Sequence, residues 1–517
     1  MTRNPFDASF DFTKSHNWIS HFSSFPIESF EKALRTQGED FWRRAGEERA
    51  LKIFHRAATQ IPAYKDFLKK NGVRHDRIKT IADFTHVPFT DKKNYTSKYS
   101  VSERAWNGDV SGLDLVAVSS GTSGEPKFWP RGGFQEYEAA VIHELAYRYL
   151  FEVHKYRTLM VIGFPMGIYV SGVATLLPSR LVSEKYNMTL ATTGNFKPEA
   201  VRLVKYLQKE YDQVVLVGHP FFIKDVLETG ADEGIRWNKK RLRMMFCSEG
   251  FNEAWRQYVV RSTKSPYVLE SAINTYGSSE LLLMGHETPL SIFTRLVAEK
   301  DPAFKKKLFM RAAVPNLFQY NPYMRYIESA GNDLIFTAAS GIPMIRFNLK
   351  DSGILRSYEE VTTALDTSNP KWRAELRHKS ATGSHWQLPF VALRGRSDYT
   401  MIFYAANIYP EHVHTGLNYE PFLRKLTGKF TMRKGYKRNM DEYLEINIEL
   451  RPRVIPTKEF AQTIRARVIT KLLEVNKEYA DASSHLAQDL RPRIKLWPYQ
   501  HKRYFRPGLK PRYISEV

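Results

Sequence analysis

Residues 197–219 read KPEAVRLVKYLQKEYDQVVLVGH, an amphipathic segment that runs straight into an apolar one. The same alternation surrounds it: apolar TLMVIGF (158–164) and LRMMFCSE (242–249), then amphipathic NEAWRQYVVRST (252–263), with Gly, Pro, Asn or Asp between them. Apolar runs that take turns with helical periodicity imply βαβ units, whose right-handed crossovers build a largely parallel sheet. The expected fold class is α/β, a large N-terminal α/β domain with mostly parallel sheets.

Upstream, residues 47–72 (EERALKIFHRAATQIPAYKDFLKKNG) put Leu51, Phe54, Ala57 and Ala58 at helical spacing, with Pro62 and Gly72 as punctuation, which predicts two short helices. Downstream of Gly395 the texture changes. EYLEINIEL (442–450) alternates with period two, FAQTIRARVITKLLEV (460–475) is an amphipathic helix and RPRIKLWPY (491–499) returns as a strand, together a small α+β module. A chain of 517 residues exceeds one ordinary domain, so the expected division is 1–395, with 1–45 as a helical N-terminal extension, and 396–517.

Hydrophobic residues make up 43% and charged residues 26%, close to globular averages, which excludes a largely disordered chain. The single cysteine, Cys247, rules out an intrachain disulfide or thiolate cluster, and the start MTRNPFDASF lacks the apolar core of a signal peptide, so a cytoplasmic protein is expected. The longest uncharged stretch, 158–179, contains Gly163, Pro165, Gly167 and Gly172 and reads as strand, turn and helix start; no membrane association is expected. The net charge of +22 is concentrated C-terminally, where residues 421–517 hold 22 Lys and Arg against 10 Asp and Glu. Such a module attracts nucleic acid, membrane surface or an anionic ligand, or is simply a solvated face. Tyr499, Tyr504 and Phe505 among these basic residues would suit stacking on bases.

The segment SSGTSGEPK (119–127) packs four hydroxyls and two glycines into a loop after the apolar LDLVAV. Backbone N–H groups freed by Gly121 and Gly124, the hydroxyls of Ser119, Ser120, Thr122 and Ser123, and the Lys127 ammonium together suit a phosphate. It is neither a Walker A loop, because Lys127 follows Pro126, nor G-x-S-x-G, because position 125 is Glu. Cys247 reads as a core side chain, and His286 and His412 lack metal-ligand spacing.

The full string resembles the phosphate-binding signature of the adenylate-forming superfamily, and three further segments match in that family's order. YGSSE (276–280) resembles the element in which Tyr276 stacks on adenine beside Gly277, the Ser279 hydroxyl meets the α-phosphate and Glu280 helps hold magnesium. PMIRFNLKDSG (343–353) resembles the element whose aspartate, here Asp351, binds both ribose hydroxyls. LRGRSDYTMIFYAANIYPEHV (393–413) is similar to the hinge segment of phenylacetate-CoA ligases, with Arg396 near ribose and phosphate and Asp398 as pivot. That branch also resembles RAATQIPAYKDFLKKNG, IADFTHVPFTDKKNY and FCSEGFNEAW, the last placing Ser248, Glu249 and Gly250 at the adenine pocket. The terminal YFRPGLKPRYISEV resembles the element with the catalytic lysine, implying Lys510, with Lys502 as competitor.

The resemblance implies an AMP-forming acid ligase that uses ATP and Mg2+ and takes CoA as acceptor. An amine, a carrier-protein thiol or a small nitrogen nucleophile stands as the alternative acceptor. Phe164, Met166 and Tyr169 would line a pocket for an aryl or medium acyl acid. A catalytically reduced relative or a basic nucleic-acid-binding or membrane-binding protein is the competing class, and ordinary solvation of a ligase tail, or attraction of polyanionic ATP and CoA, is the better account of the charge. The oligomer is open, with a dimer as one option. Three departures stand out: Ala405 where the branch has glycine, Tyr399 for a common aspartate, and Lys350 where small residues are usual. The stretch 359–390 is longer than the branch usually carries and reads as a lid, a docking surface or an inert insertion.

Overall fold

A computed structural model describes residues 18–119, 127–167, 170–237, 241–263, 268–310, 314–380, 385–396, 400–486, 488–505 and 513–514. The chain divides into two compact units, Met1–Ser119 with Phe128–Arg394, and Ser120–Lys127 with Gly395–Val517.

The large unit is built on a 12-stranded mixed sheet. Its first half is parallel, in the order Met188–Thr192, Thr158–Ile162, Gln213–Gly218, Arg241–Phe246, Ala272–Ser278. Thr158–Ile162 and Gln213–Gly218 are buried along their whole length, as expected of parallel strands with both faces covered. The uncharged stretch 158–179 thus splits into a strand and the start of the helix Val170–Ser183; no helix among the described residues is long and apolar enough to cross a membrane. The chain steps from Thr158–Ile162 outward to Met188–Thr192, then returns to its other side at Gln213–Gly218. Strand order therefore reverses between those two central strands, and ligands of open α/β sheets bind at such reversals, beyond the carboxyl ends.

From Leu282–His286 onward the observed pairings turn antiparallel, because hairpins and short connections replace crossover helices. Met344–Arg356, which carries Asp351, is flanked on one side by Asp333–Ala338 and also takes the short parallel strand Thr90–Asp91. The described residues of stretch 359–390 pack on the core: the helices Tyr358–Ser368 and Trp372–Lys379 bury Val361, Leu365, Trp372 and Leu376, and Trp386 stacks on Tyr149 at 4.3 Å. Gln319 ties it down, donating to the Trp386 and Leu388 carbonyls at 3.1 and 2.9 Å.

In the small unit Leu426–Tyr436 and Glu442–Leu450 pair antiparallel, Arg493–Trp497 joins in parallel, and the helix Lys458–Val475 packs on Pro410–Leu417. Leu444, Ile446 and Ile448 form one buried face of the central strand. The opposite face is polar yet equally buried, since Glu449 accepts from Gln500 N at 2.7 Å and Asn447 from Trp497 Nε1 at 2.6 Å. The hairpin Met401–Phe403/Ala406–Ile408 turns on Tyr404 and Ala405, at φ +48° and +64°. Two-residue hairpins of this kind want Asn-Gly, which explains why glycine suits position 405.

Candidate active site

The strands Ala272–Ser278 and Leu282–His286 are joined by only three residues, Ser279, Glu280 and Leu281. Leu282 closes the turn in the left-handed region, φ +56°, where three-residue hairpins usually place glycine. Gly277 is required by contact: a Cβ there would come within 2.8 Å of the Leu282 carbonyl. Tyr276 lies against Phe318, ring centroids 5.6 Å apart, and its hydroxyl donates to Asp351 Oδ2 at 2.5 Å. Two residues 75 apart in sequence thus share one buried, charge-assisted hydrogen bond.

Lys350, before Asp351, sits at φ +67°, so small residues are favoured there for backbone reasons; its amide donates to Asn348 Oδ1 at 2.7 Å. The strand Thr90–Asp91, registered on Phe347–Asn348, delivers Lys92, whose ammonium lies 2.9 Å from Glu280 Oε1 and 5.4 Å from the Trp129 ring. Lys92 was invisible as a site residue in the run TDKKNY, because its role comes from a parallel pairing across more than 250 residues.

Ser248, Glu249 and Gly250 follow the strand Arg241–Phe246, with Ser248 exposed at φ +74°. Asn274 donates to the Glu249 carbonyl at 3.1 Å, which ties this loop to the strand bearing Tyr276. A Cβ on Gly250 would fall 2.1 Å from Asn316 Nδ2. Behind the loop, Arg295 donates to the Phe251 carbonyl at 2.7 Å and pairs, like Arg256, with Glu253 and Glu287.

At the strand-order reversal, Phe164 follows one central strand and His219 the other, rings 5.1 Å apart and nearly perpendicular. His219 also stacks on Phe221 at 5.5 Å. Burial pushes the imidazole down to about 4, against Glu249 and the Cys247 carbonyl, so it is neutral at pH 7. Nothing in the sequence beyond its place at the end of QVVLVGH marks His219. Met166 is exposed at the rim, where its side chain approaches Gly194.

The large unit thus brings Tyr276, Gly277, Ser279, Glu280 and Asp351 together, with Ser248–Gly250 held beside them and Phe164 after a strand that two others separate from Ala272–Ser278. Ser119 ends one strand and Lys127 begins its partner, Leu113–Ser119 and Lys127–Gly132. Ser120, Gly121, Thr122, Ser123, Gly124, Tyr169, Asp398, Tyr399 and Lys510 lie outside the described residues. Arg396 ends the strand Phe390–Arg396 and belongs, with Lys502, to the small unit. His286 bonds to the Glu287 carbonyl at 2.8 Å and His412 to Asn476 at 3.1 Å; both are structural.

Among the described residues no group of three His, Cys, Asp or Glu could hold a metal ion. Glu280 supplies one buried carboxylate. That fits magnesium, which is commonly held by one or two carboxylates and completes its octahedron with phosphate oxygens and water.

No family model and no curated protein matches the sequence. Solved structures do match its fold. The 2-hydroxyisobutyryl-CoA ligase in complex with 2-HIB-AMP and CoA in the thioesterification state has a TM-score of 0.59 at 14% identity, covering 94% of this chain and 91% of that one. An open conformation of the same ligase with 2-HIB-AMP and CoA gives 0.53 at 14% identity, covering 94% and 93%. The chain has the fold of adenylate-forming acid–CoA ligases.

Proposed function

We propose that this chain activates a carboxylic acid with ATP and magnesium as an acyl-AMP and passes the acyl group to CoA, as a phenylacetate-CoA ligase-like member of the adenylate-forming superfamily. The observation that carries this reading is the 2.5 Å bond between Tyr276 and Asp351, a turn away from Glu280. It joins the two groups that the resemblance assigns to base and sugar, and Glu280, assigned to the metal, follows Tyr276 in the next turn.

In this reading Asp351 accepts the ribose hydroxyls, Tyr276 and the Ser248–Gly250 loop flank adenine, and Ser279 donates to the α-phosphate. The loop from Ser119 through Gly124, with Lys127, cradles the outer phosphates, and Arg396 and Lys92 add positive charge. Magnesium at Glu280 would neutralise charge on the phosphates. A substrate carboxylate oxygen attacks the α-phosphorus in line and pyrophosphate departs, so the protein supplies position and counter-charge rather than a nucleophile. Lys510 stabilises the oxygens as charge builds; losing one such donor costs about 3 kcal/mol. The small unit then turns about Asp398, and the thiolate attacks the acyl carbonyl while AMP leaves. Phe164, Met166 and Tyr169, with His219 and Phe221, wall the acid, and a neutral imidazole there favours an aryl acid with a polar substituent.

A second acceptor is favoured by Ala405, whose methyl occupies a left-handed turn position where the branch has glycine. Crowding there would disfavour pantetheine and leave an amine, a carrier-protein thiol or a small nitrogen nucleophile.

The test is acid-dependent exchange of labelled pyrophosphate into ATP over a broad acid panel. Exchange should occur with at least one acid and be lost in Glu280→Ala and Asp351→Ala. Absence of exchange with every acid overturns the reading, and AMP release with and without CoA separates the acceptors.

A further inference from the structure

We infer that Gln135, Glu138, Arg325 and Arg49 form a positioning brace that fixes the turn bearing Ser279 and Glu280. What the turn is fixed for rests on the adenylation reading. A three-residue hairpin closed by a left-handed leucine has little rigidity of its own, and Ser279 and Glu280 stand at its tip. Two of its carbonyls are gripped from behind. Gln135 Nε2 donates to the Glu280 carbonyl at 3.1 Å, and Arg325 Nε donates to the Leu281 carbonyl at 3.3 Å.

Both donors are themselves held. Arg325 Nη1 donates to Glu138 Oε2 at 2.7 Å and to the Met324 carbonyl at 2.8 Å. The other Glu138 oxygen takes Arg49, whose second nitrogen donates to the Tyr323 carbonyl at 2.6 Å. Gln135 and Glu138 are three residues apart on the helix Gly133–Ala146, so one face of it makes both grips. Gln135, Glu138 and Arg325 are no more than 2% exposed. Burying a carboxylate and a guanidinium is expensive and a hydrophobic filling would stabilise as well, so the polar brace argues for a geometric demand. A phosphate-side carboxylate tolerates displacement of only about half an ångström, which grips on the successive carbonyls of Glu280 and Leu281 enforce.

Gln135→Met removes one donor at nearly constant volume. Isothermal titration of ATP in EDTA and again with magnesium, on the full chain, reads the brace directly. In the wild type magnesium should tighten ATP; in Gln135→Met that gain should shrink about tenfold while the EDTA affinity stays put. Exchange kcat should fall by a similar factor with the KM for the acid unchanged. Arg325→Lys, which keeps charge against Glu138 but lacks Nε, should move the same way and carries the test if Gln135→Met does not fold. Variants that melt earlier but keep the wild-type magnesium gain overturn the brace and leave the adenylation reading standing. A wild type whose ATP affinity ignores magnesium also overturns it. A wild type that binds no ATP removes both.

Discussion

The two units bury charge in opposite ways. In the large unit Arg256 and Arg295 meet Glu253 and Glu287 with neither partner more than 2% exposed. In the small unit the acids are as dry, Glu445 at 1% and Glu449 at 0%, but their cations reach water, Lys495 at 51% and Lys429 at 44%. A cluster dry on both sides has no solvent to fall back on, so each member depends on the others. A dry acid with a wet base keeps a replaceable partner. The dry cluster stands behind the Ser248–Gly250 loop, where backbone position matters, whereas the C-terminal excess of basic side chains is largely a solvated surface.

The largest break in this contrast should come from Glu287→Ala, which leaves two buried guanidiniums to share the single carboxylate of Glu253: about 3–5 kcal/mol lost in chemical denaturation. Acid should come next. Burial holds His143, His219 and His286, all in the large unit, near about 4 against an ordinary 6.5. Because the unfolded chain takes up protons first, their contribution is complete above about pH 6.5 and fades as pH falls towards 4, with up to about 3 kcal/mol at stake for each. Thermal unfolding of Trp497→Phe would follow the large unit alone, since the other eight tryptophans lie before residue 395. Glu445→Gln should cost only about 1–2 kcal/mol, because Lys495 is left in water and the other partner of Glu445, Arg433, keeps a bond to the Tyr443 hydroxyl. Ala405→Gly should stabilise the small unit by about 1 kcal/mol, read from its melting temperature, by relieving a left-handed alanine. The smallest effect belongs to Arg424→Ala, whose pair with Glu420 is exposed on both sides: within about 0.5 kcal/mol by urea titration.

Local periodicity carried the parallel strands and the small unit's central strand and helix, because 158–164, 213–219 and 442–450 are short segments buried by their own patterns. It did not carry the antiparallel half, where pairing depends on partners far along the chain. Stretch 359–390 was open between lid, docking surface and insertion; only assembly shows Trp372 and Trp386 inside the core. The same limit governed the site. Tyr276, Glu280 and Asp351 were legible as candidates because they fall in strings that match the resemblance and have strong local demands, such as Gly277 against the Leu282 carbonyl. Lys92, His219, Gln135 and Arg325 were not, since each acquires a role from a neighbour supplied by another strand or helix.

If Asp351 takes the sugar as proposed, its bond from Tyr276 bears on which sugar is welcome. In the proposed nucleotide site the Asp351 carboxylate already holds a phenolic donor, so a sugar would share that oxygen or displace its occupant. A vicinal diol offers two donors in exchange for one. On that proposal a 2′-deoxy sugar offers one for one, with nothing to tip the trade, so the Tyr276 hydroxyl would sharpen a preference for ribose that the two Asp351 oxygens already give.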